Sequence, residues 1–247
     1  MSFFGRALRM TLYRPGKTRP VLFGLGRGIK LVVDARAPLH KYIGTAEIEL
    51  SRYIRMFAQK GALCFDVGAY DAHVSLTLAR LTGSDVCSFE FRDDAAARIR
   101  RNLVLNPKLA DRVELIQTYV ADESAAYPPT DTLDDLIASG QVFEPDFVKI
   151  DVEGAEMQVL SGAATLLRER KPHLLIEIHS ARLALECLVQ LETAGYKPEP
   201  TIVPRRRWLS EHRGTQLNEW IVAVGQTREH AQERKLSQTA GLGREAS

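Results

Sequence analysis

Val148-Lys149-Ile150-Asp151-Val152-Glu153-Gly154-Ala155-Glu156 and, earlier in the chain, Cys64-Phe65-Asp66-Val67-Gly68-Ala69 are the stretches on which the reading of the fold turns. Each is an apolar strand pattern ending in a carboxylate, with a glycine close behind and a helix pattern after it. Parallel strands are buried on both faces, so polar groups are confined to the points where the strands emerge, and ligands bind there. A glycine at such an exit is expected to let the backbone approach a ligand that a Cβ would block.

Around these stretches, strand and helix patterns alternate. An amphipathic helix over 45–60 offers Ile48, Tyr53, Ile54, Phe57 and Ala58 to a core and stops at Gly61. Strand 62–67 precedes helix 72–82, and strand 85–91 precedes helix 93–105, which stops at Asn106-Pro107. Strand 112–120 leads through a Pro-rich loop to a short helix at 131–138. Strand 146–151 precedes helix 155–169, and strand 173–179 precedes helix 181–194. This alternation predicts a Rossmann-like α/β fold: a mostly parallel sheet with right-handed crossovers and helices on both faces. Gly195 to Val203 and Leu217 to Val224 break the rhythm and read as an antiparallel closing pair joined by the basic loop Arg205-Arg206-Arg207.

The amino-terminal part reads differently. Two short strands within 19–34 flank Gly24-Leu25-Gly26-Arg27-Gly28. The alternating glycines look like a dinucleotide loop, but Ile29 to Val33 continues as β structure, so a hairpin is expected. Nine of the 33 basic residues and one of the 31 acids lie in residues 1–41, which leaves a mildly acidic body behind a basic arm. Phe3, Phe4, Ala7, Leu8 and Leu12 can share one helical face beside Arg6 and Arg9. Such a face either docks on an anionic surface, such as a membrane, or packs on the protein itself. The domain division is a basic arm and hairpin over 1–41, an α/β domain over 42–226, and a polar tail over 227–247 that is expected to be disordered.

The longest apolar runs are too short for a membrane span, and the amino end lacks the apolar centre of a secretory signal. Cys64, Cys87 and Cys187 are odd in number and lack metal-ligand spacing, which together fits a reducing cytoplasm.

Gly68 is the lone glycine of Asp66-Val67-Gly68-Ala69-Tyr70-Asp71-Ala72-His73. Pyrophosphate binders wrap phosphates with several glycines, so this junction suits a ligand without phosphates, such as S-adenosylmethionine (SAM). Glu90, 24 positions after Asp66, ends the next strand and can accept both ribose hydroxyls. Asp122 ends the third strand, where an adenine amino group can be read. The alternative for each acid is a helix cap or a solvated strand-end charge.

Phe65-Asp66-Val67-Gly68-Ala69, Phe89-Glu90, Asn102 to Asn106, Thr132-Leu133-Asp134-Asp135-Leu136, Lys149 to Glu156, Val159-Leu160-Ser161-Gly162-Ala163 and Glu177-Ile178-His179 occur in that order. In this series the chain resembles the FkbM-type SAM-dependent methyltransferases over about residues 42–180. The resemblance implies a seven-stranded class I methyltransferase fold, SAM as donor, and O-methylation of a hydroxyl on a sugar, glycan or natural product. The donor site is then expected at Asp66, Gly68, Ala69, Tyr70, Glu90, Asp122 and Asp151. The family pattern carries Asn and a second Gly where this chain has Tyr70 and Ala72.

Methyl transfer to an unactivated hydroxyl needs alignment and removal of a proton. His179 is the expected base, oriented by Glu177 two residues before it on the same sheet face, with Asp151 facing the ligand. His73 is the rival base. Glu153 and Glu156 read as helix-end charges. With Asp151 beside Lys149 they can also be read as a base or a divalent-metal site in which Asp151 is a ligand, but no metal is expected, since hard-cation sites need more oxygen ligands than these residues supply. Arg205-Arg206-Arg207-Trp208 either grips a glycan or anionic acceptor or is a solvated charge run. Alternatives are a nucleic-acid methyltransferase, which the acidic body disfavours; an NAD-dependent oxidoreductase, which the missing glycines disfavour; and a SAM-binding module without catalysis.

Overall fold

The computed structural model describes residues 14–34, 37–46, 48–125, 129–196, 201–204 and 219–226. The expected amino-terminal helix, the Arg205-Arg206-Arg207-Trp208 loop and the 227–247 tail lie outside the described residues.

Apolar side chains alternate between the two faces of a central sheet, as buried strands require. Cys64, Val86, Phe147 and Leu175 join one hydrophobic cluster. Their neighbours Phe65, Cys87, Val148 and Leu174 join the other. The first is covered by helices Ser51–Phe57 and His73–Thr82, through Ile54, Phe57, Leu76 and Leu78. The second is covered by helices Leu133–Ala138, Glu156–Ser161 and Ala181–Thr193, through Leu133, Leu160 and Cys187.

The strands of the sheet are β3 (Cys64–Val67), β4 (Val86–Phe89), β5 (Val113–Ile116), β8 (Phe147–Ile150), β9 (His173–Ile178), β10 (Thr201–Pro204) and β11 (Glu219–Ala223). Their spatial order is β10-β11-β9-β8-β3-β4-β5. β3, β4, β5, β8 and β9 run parallel. β11 is antiparallel to β9, and β10 is antiparallel to β11. This is the expected doubly wound sheet with its antiparallel close. β1 (Thr18–Pro20) and β2 (Lys30–Val32) form the amino-terminal hairpin, so the glycine loop between them is a turn. No helix among the described residues is long and apolar enough to cross a membrane.

Three elements differ from expectation. The strand read over 112–120 splits: Val113–Ile116 stays in the sheet, while β6 (Tyr119–Val120) leaves it to pair with β7 (Thr130–Asp131). The helix read over 155–169 ends at Ser161, and a π-helical turn, Leu166–Arg170, follows. The break has a cause: a Cβ at Gly162 would overlap the carbonyl oxygen of Ala121, and Asp134 accepts from the amides of Thr165 at 2.7 Å and Leu166 at 2.9 Å. Asp134 thus caps a new turn instead of letting the first helix continue. Finally, the 45–60 helix is shorter, Ser51–Phe57 after a 3-10 turn, and is preceded by a helix at Leu39–Ile43 that ends at left-handed Gly44.

Candidate active site

The strand order reverses between β3 and β8, the switch point at which doubly wound sheets open a crevice. The register pairs Val67 with Ile150, so Gly68 and Asp151 leave the sheet side by side. The Asp151 amide donates to the Val67 carbonyl at 3.0 Å. Gly68 has φ 82°, and a Cβ there would overlap the carbonyl oxygen of Asp151. Beside the ligand approach expected of it, the glycine therefore lets two strand exits touch.

The loop after β3 does not present its amides outward. Those of Gly68 and Ala69 both donate to the Phe89 carbonyl at 3.0 Å, and that of Tyr70 donates to Glu90 Oε2 at 3.1 Å. With these donors spent on the protein, no amide cradle for a pyrophosphate forms at this loop. Tyr70 (φ 53°) and Ala72 (φ 61°) sit in left-handed conformations. These are the two positions where the family pattern carries Asn and Gly, which adopt that conformation readily.

A cavity of about 830 Å³ opens over this junction. Of the expected donor residues, Gly68, Ala69, Tyr70, Glu90 and Asp151 line it. Asp66 and Asp122 do not, and both placements are corrections. Asp66 is fully buried below the loop, where it accepts from Ser75 Oγ at 2.6 Å and faces Lys149 Nζ at 3.7 Å. Burial pushes its carboxyl up, and the Lys149 ammonium and Ser75 hydroxyl oppose that. Asp122 is exposed, because the chain has turned away with β6. Thr118, Tyr119 and Val120 take its expected place on the wall.

Glu90 is buried, and its carboxylate is already engaged. Besides Tyr70, it accepts from the Arg92 amide at 3.0 Å and from Arg92 Nε at 3.3 Å. A carboxylate offers about four lone-pair sites, so one remains, on Oε2. A second is released if Arg92 swings away; its side chain is 40% exposed. Beside it, Phe91 and Tyr119 meet edge to face at 5.2 Å and form an aromatic wall.

The second motif builds an acidic cluster. Lys149 Nζ lies 3.0 Å from Asp151 Oδ2. His179 follows β9 and holds its Nδ1 2.7 Å from Glu156 Oε1, with Nε2 3.4 Å from Glu153 Oε2. The carboxylate that orients the ring is therefore Glu156, which is fully buried, and not Glu177 as expected. Burial works against a charged ring, but the Glu156 hydrogen bond and the charges of Glu156, Asp151 and Glu177 outweigh it and push the imidazole up to about 9. A ring that keeps its proton at neutral pH is not the free base expected, and neither His179 nor Glu177 lines the cavity. Asp151 does, with a side chain 22% exposed.

The opposite wall comes from segments to which the sequence assigned no role in the site: Leu25 and Gly26 of the hairpin turn, His40 and Lys41 of the short helix, and Ser51 and Ile54. Their one sequence signal is the Gly44 helix stop. His73 belongs to this wall. Its Nε2 is buried without a hydrogen-bond partner among the described residues, and burial, helped by the Lys41 ammonium, pushes the imidazole down to about 4.

These residues fit an adenosyl sulfonium. A buried carboxylate with acceptor capacity left suits a ribose hydroxyl, the Phe91–Tyr119 wall suits an adenine face, and carboxylates on the wall suit a positive sulfur. A phosphate would meet Glu90 and Asp151 with like charge. Residues 118–198 match the model of the methyltransferase FkbM domain. Over that segment the chain is similar to the FkbM-type methyltransferases.

Solved structures share the fold. An FkbM methyltransferase from Methylobacillus flagellatus is 20% identical, with a TM-score of 0.55 over 66% of this chain and 44% of its own. The chain thus spans less than half of that protein's length. A SAM-dependent O-methyltransferase from Thermotoga maritima is 16% identical, with a TM-score of 0.52 over 90% of this chain and 82% of its own. M. jannaschii TYW2, solved in complex with AdoMet, is 15% identical, with a TM-score of 0.51 over 79% of this chain and 81% of its own. No curated protein matches the chain.

Proposed function

We propose that this chain is an FkbM-type methyltransferase that transfers the methyl group of SAM to a hydroxyl on a sugar, glycan or natural product. The observation that carries this reading is the position of Asp151. It leaves β8 beside Gly68, on the wall of a cavity whose volume lies in the upper part of the range of small-molecule sites. When bound, SAM supplies an electrophilic methyl carbon whose leaving sulfur needs no proton. The chain's residues must hold, orient and keep dry what binds, and receive the acceptor's proton. Glu90 holds the ribose end and the Phe91–Tyr119 wall holds the base. Asp151 accepts the acceptor's O–H, with the Lys149 ammonium at 3.0 Å balancing its charge. His40, Lys41, Ser51 and Thr77 supply polar groups on the opposite wall to orient a hydroxyl-bearing acceptor.

The reading is tested by incubating the full chain with isotope-labelled SAM and a fractionated metabolite and glycan extract. The labelled product is then located by mass spectrometry, and S-adenosylhomocysteine is quantified. Label on oxygen of a small molecule or glycan is the expected result. Label on nitrogen, on carbon or in nucleic acid overturns it, and SAM binding without turnover leaves a binding module.

A further inference from the structure

We infer that Asp151, Glu177 and His179 form a site for one divalent transition-metal cation at the edge of the cavity. One ligand atom from each lies within 4.8 Å of the other two. First-row metal bonds to nitrogen and carboxylate oxygen of about 2.0–2.2 Å hold such donors roughly 3–4 Å apart, so the set closes by about an ångström to bind. The sheet makes this meeting. β8 and β9 are parallel with Ile150 opposite Ile176, which brings Asp151 alongside Glu177, and His179 follows two residues later on the same side.

A second observation concerns the ring. Glu156 engages Nδ1 of His179 at 2.7 Å, and the Gly154 amide in turn fixes Glu156 at 2.9 Å. That bond keeps the Nδ1 proton on the Glu156 side, so a cation binds at Nε2 by displacing the ring's second proton and the contact with the exposed Glu153. A buried carboxylate behind the imidazole is the usual outer partner of a metal-bound histidine. The other oxygen of Glu156 is buried without a hydrogen-bond partner among the described residues, so the negative charge behind the ring is not neutralised by hydrogen bonds alone. Four carboxylates, those of Asp151, Glu153, Glu156 and Glu177, surround this one imidazole. An imidazole with two carboxylates suits Mn²⁺, Fe²⁺ or Zn²⁺ better than Ca²⁺ or Mg²⁺, which take oxygen. The expectation of no metal counted oxygen ligands on one motif; the set here draws on two strands and includes nitrogen. Asp151 belongs to both the set and the cavity wall. A cation there would polarise the acceptor hydroxyl, a consequence that rests on the proposed O-methylation, whereas binding itself does not.

The experiment titrates Mn²⁺ into chelator-treated full-length protein without SAM, following free Mn²⁺ by electron paramagnetic resonance. One saturable site is expected, at least tenfold weaker in His179→Ala and in Glu177→Gln and unchanged in the surface control Glu186→Gln. Circular dichroism reports folding, and Asp151→Asn replaces a variant that does not fold. No saturable binding by the parent protein, with Zn²⁺ as a second probe, overturns the inference. So does saturable binding that all three substitutions leave alone. Calorimetry with SAM on the same samples separates the two proposals. Mn²⁺ binding without SAM binding sinks the methyltransferase reading and keeps the site; SAM turnover without Mn²⁺ binding does the reverse.

Discussion

Asp66 and Lys149 stand directly opposite each other in the β3–β8 register, both buried, with Nζ 3.7 Å from Oδ1. The two motifs that define the chain are thus cross-strand partners. The same ammonium reaches Asp151 at 3.0 Å, so one lysine ties the floor of the crevice to its wall. Lys149→Met strands Asp66 without its counter-charge, and breaking a buried pair from one side costs about 3 kcal/mol or more. Urea denaturation is expected to show that loss. The double variant with Asp66→Asn should recover part of it, and a double variant no better than the single one would refute the pairing.

Gly68→Ala is expected to be worse than an ordinary glycine replacement. At Gly140 (φ 72°) an added Cβ meets nothing within 4 Å, so Gly140→Ala carries only the left-handed strain of about 1–2 kcal/mol. At Gly68 the Cβ also drives into the Asp151 backbone. A larger fall in urea midpoint at position 68, together with loss of SAM binding by calorimetry, is the expected pattern. Equal costs at the two positions would show that the strand exits are not locked together.

Glu90→Gln keeps the shape of the side chain and removes its charge. A charge-assisted hydrogen bond to the ribose is worth about 1.5–3 kcal/mol, so SAM affinity should fall at least tenfold in a calorimetric titration. Arg92→Ala should weaken binding far less, or strengthen it, because it releases an acceptor site on Glu90. The opposite ranking would count against the ribose assignment.

Acid should weaken the fold through His73. Its imidazole is held near 4 in the folded chain against an ordinary 6.5. Between those values the unfolded chain binds the extra proton and the folded one does not. Stability is therefore present above about pH 6.5 and declines as pH falls toward about 4, by at most about 3 kcal/mol from this group. Denaturation midpoints measured across that window should slope less in His73→Leu than in the parent.

The sheet was legible from residue periodicity because buried strands leave little choice of side chain. The strand exits at Gly68, Glu90 and Asp151 followed from the same rule. What escaped depended on contacts distant in sequence. Nothing near Gly162 announces that Ala121 passes against it, and nothing near His179 says that Glu156 will reach its ring before Glu177 does. Asp122 failed for a related reason: an apolar run tells where a strand can form but not when it leaves its sheet. The wall at Leu25, His40 and Lys41 lies before the first α/β unit, where no strand-exit carboxylate or shared motif marks a ligand site.

Tyr70 links that wall to the loop. Its hydroxyl donates to Asp34, and its ring lies 4.9 Å from Lys41 Nζ and 4.7 Å from the Arg98 guanidinium carbon, while its amide holds Glu90. The amino-terminal segment and residue 70 are therefore coupled, and a change on one side removes contacts from the other. A chimera that takes residues 14–46 from a relative should have to import that relative's partner for the tyrosine as well, so diversification here would proceed by paired replacements.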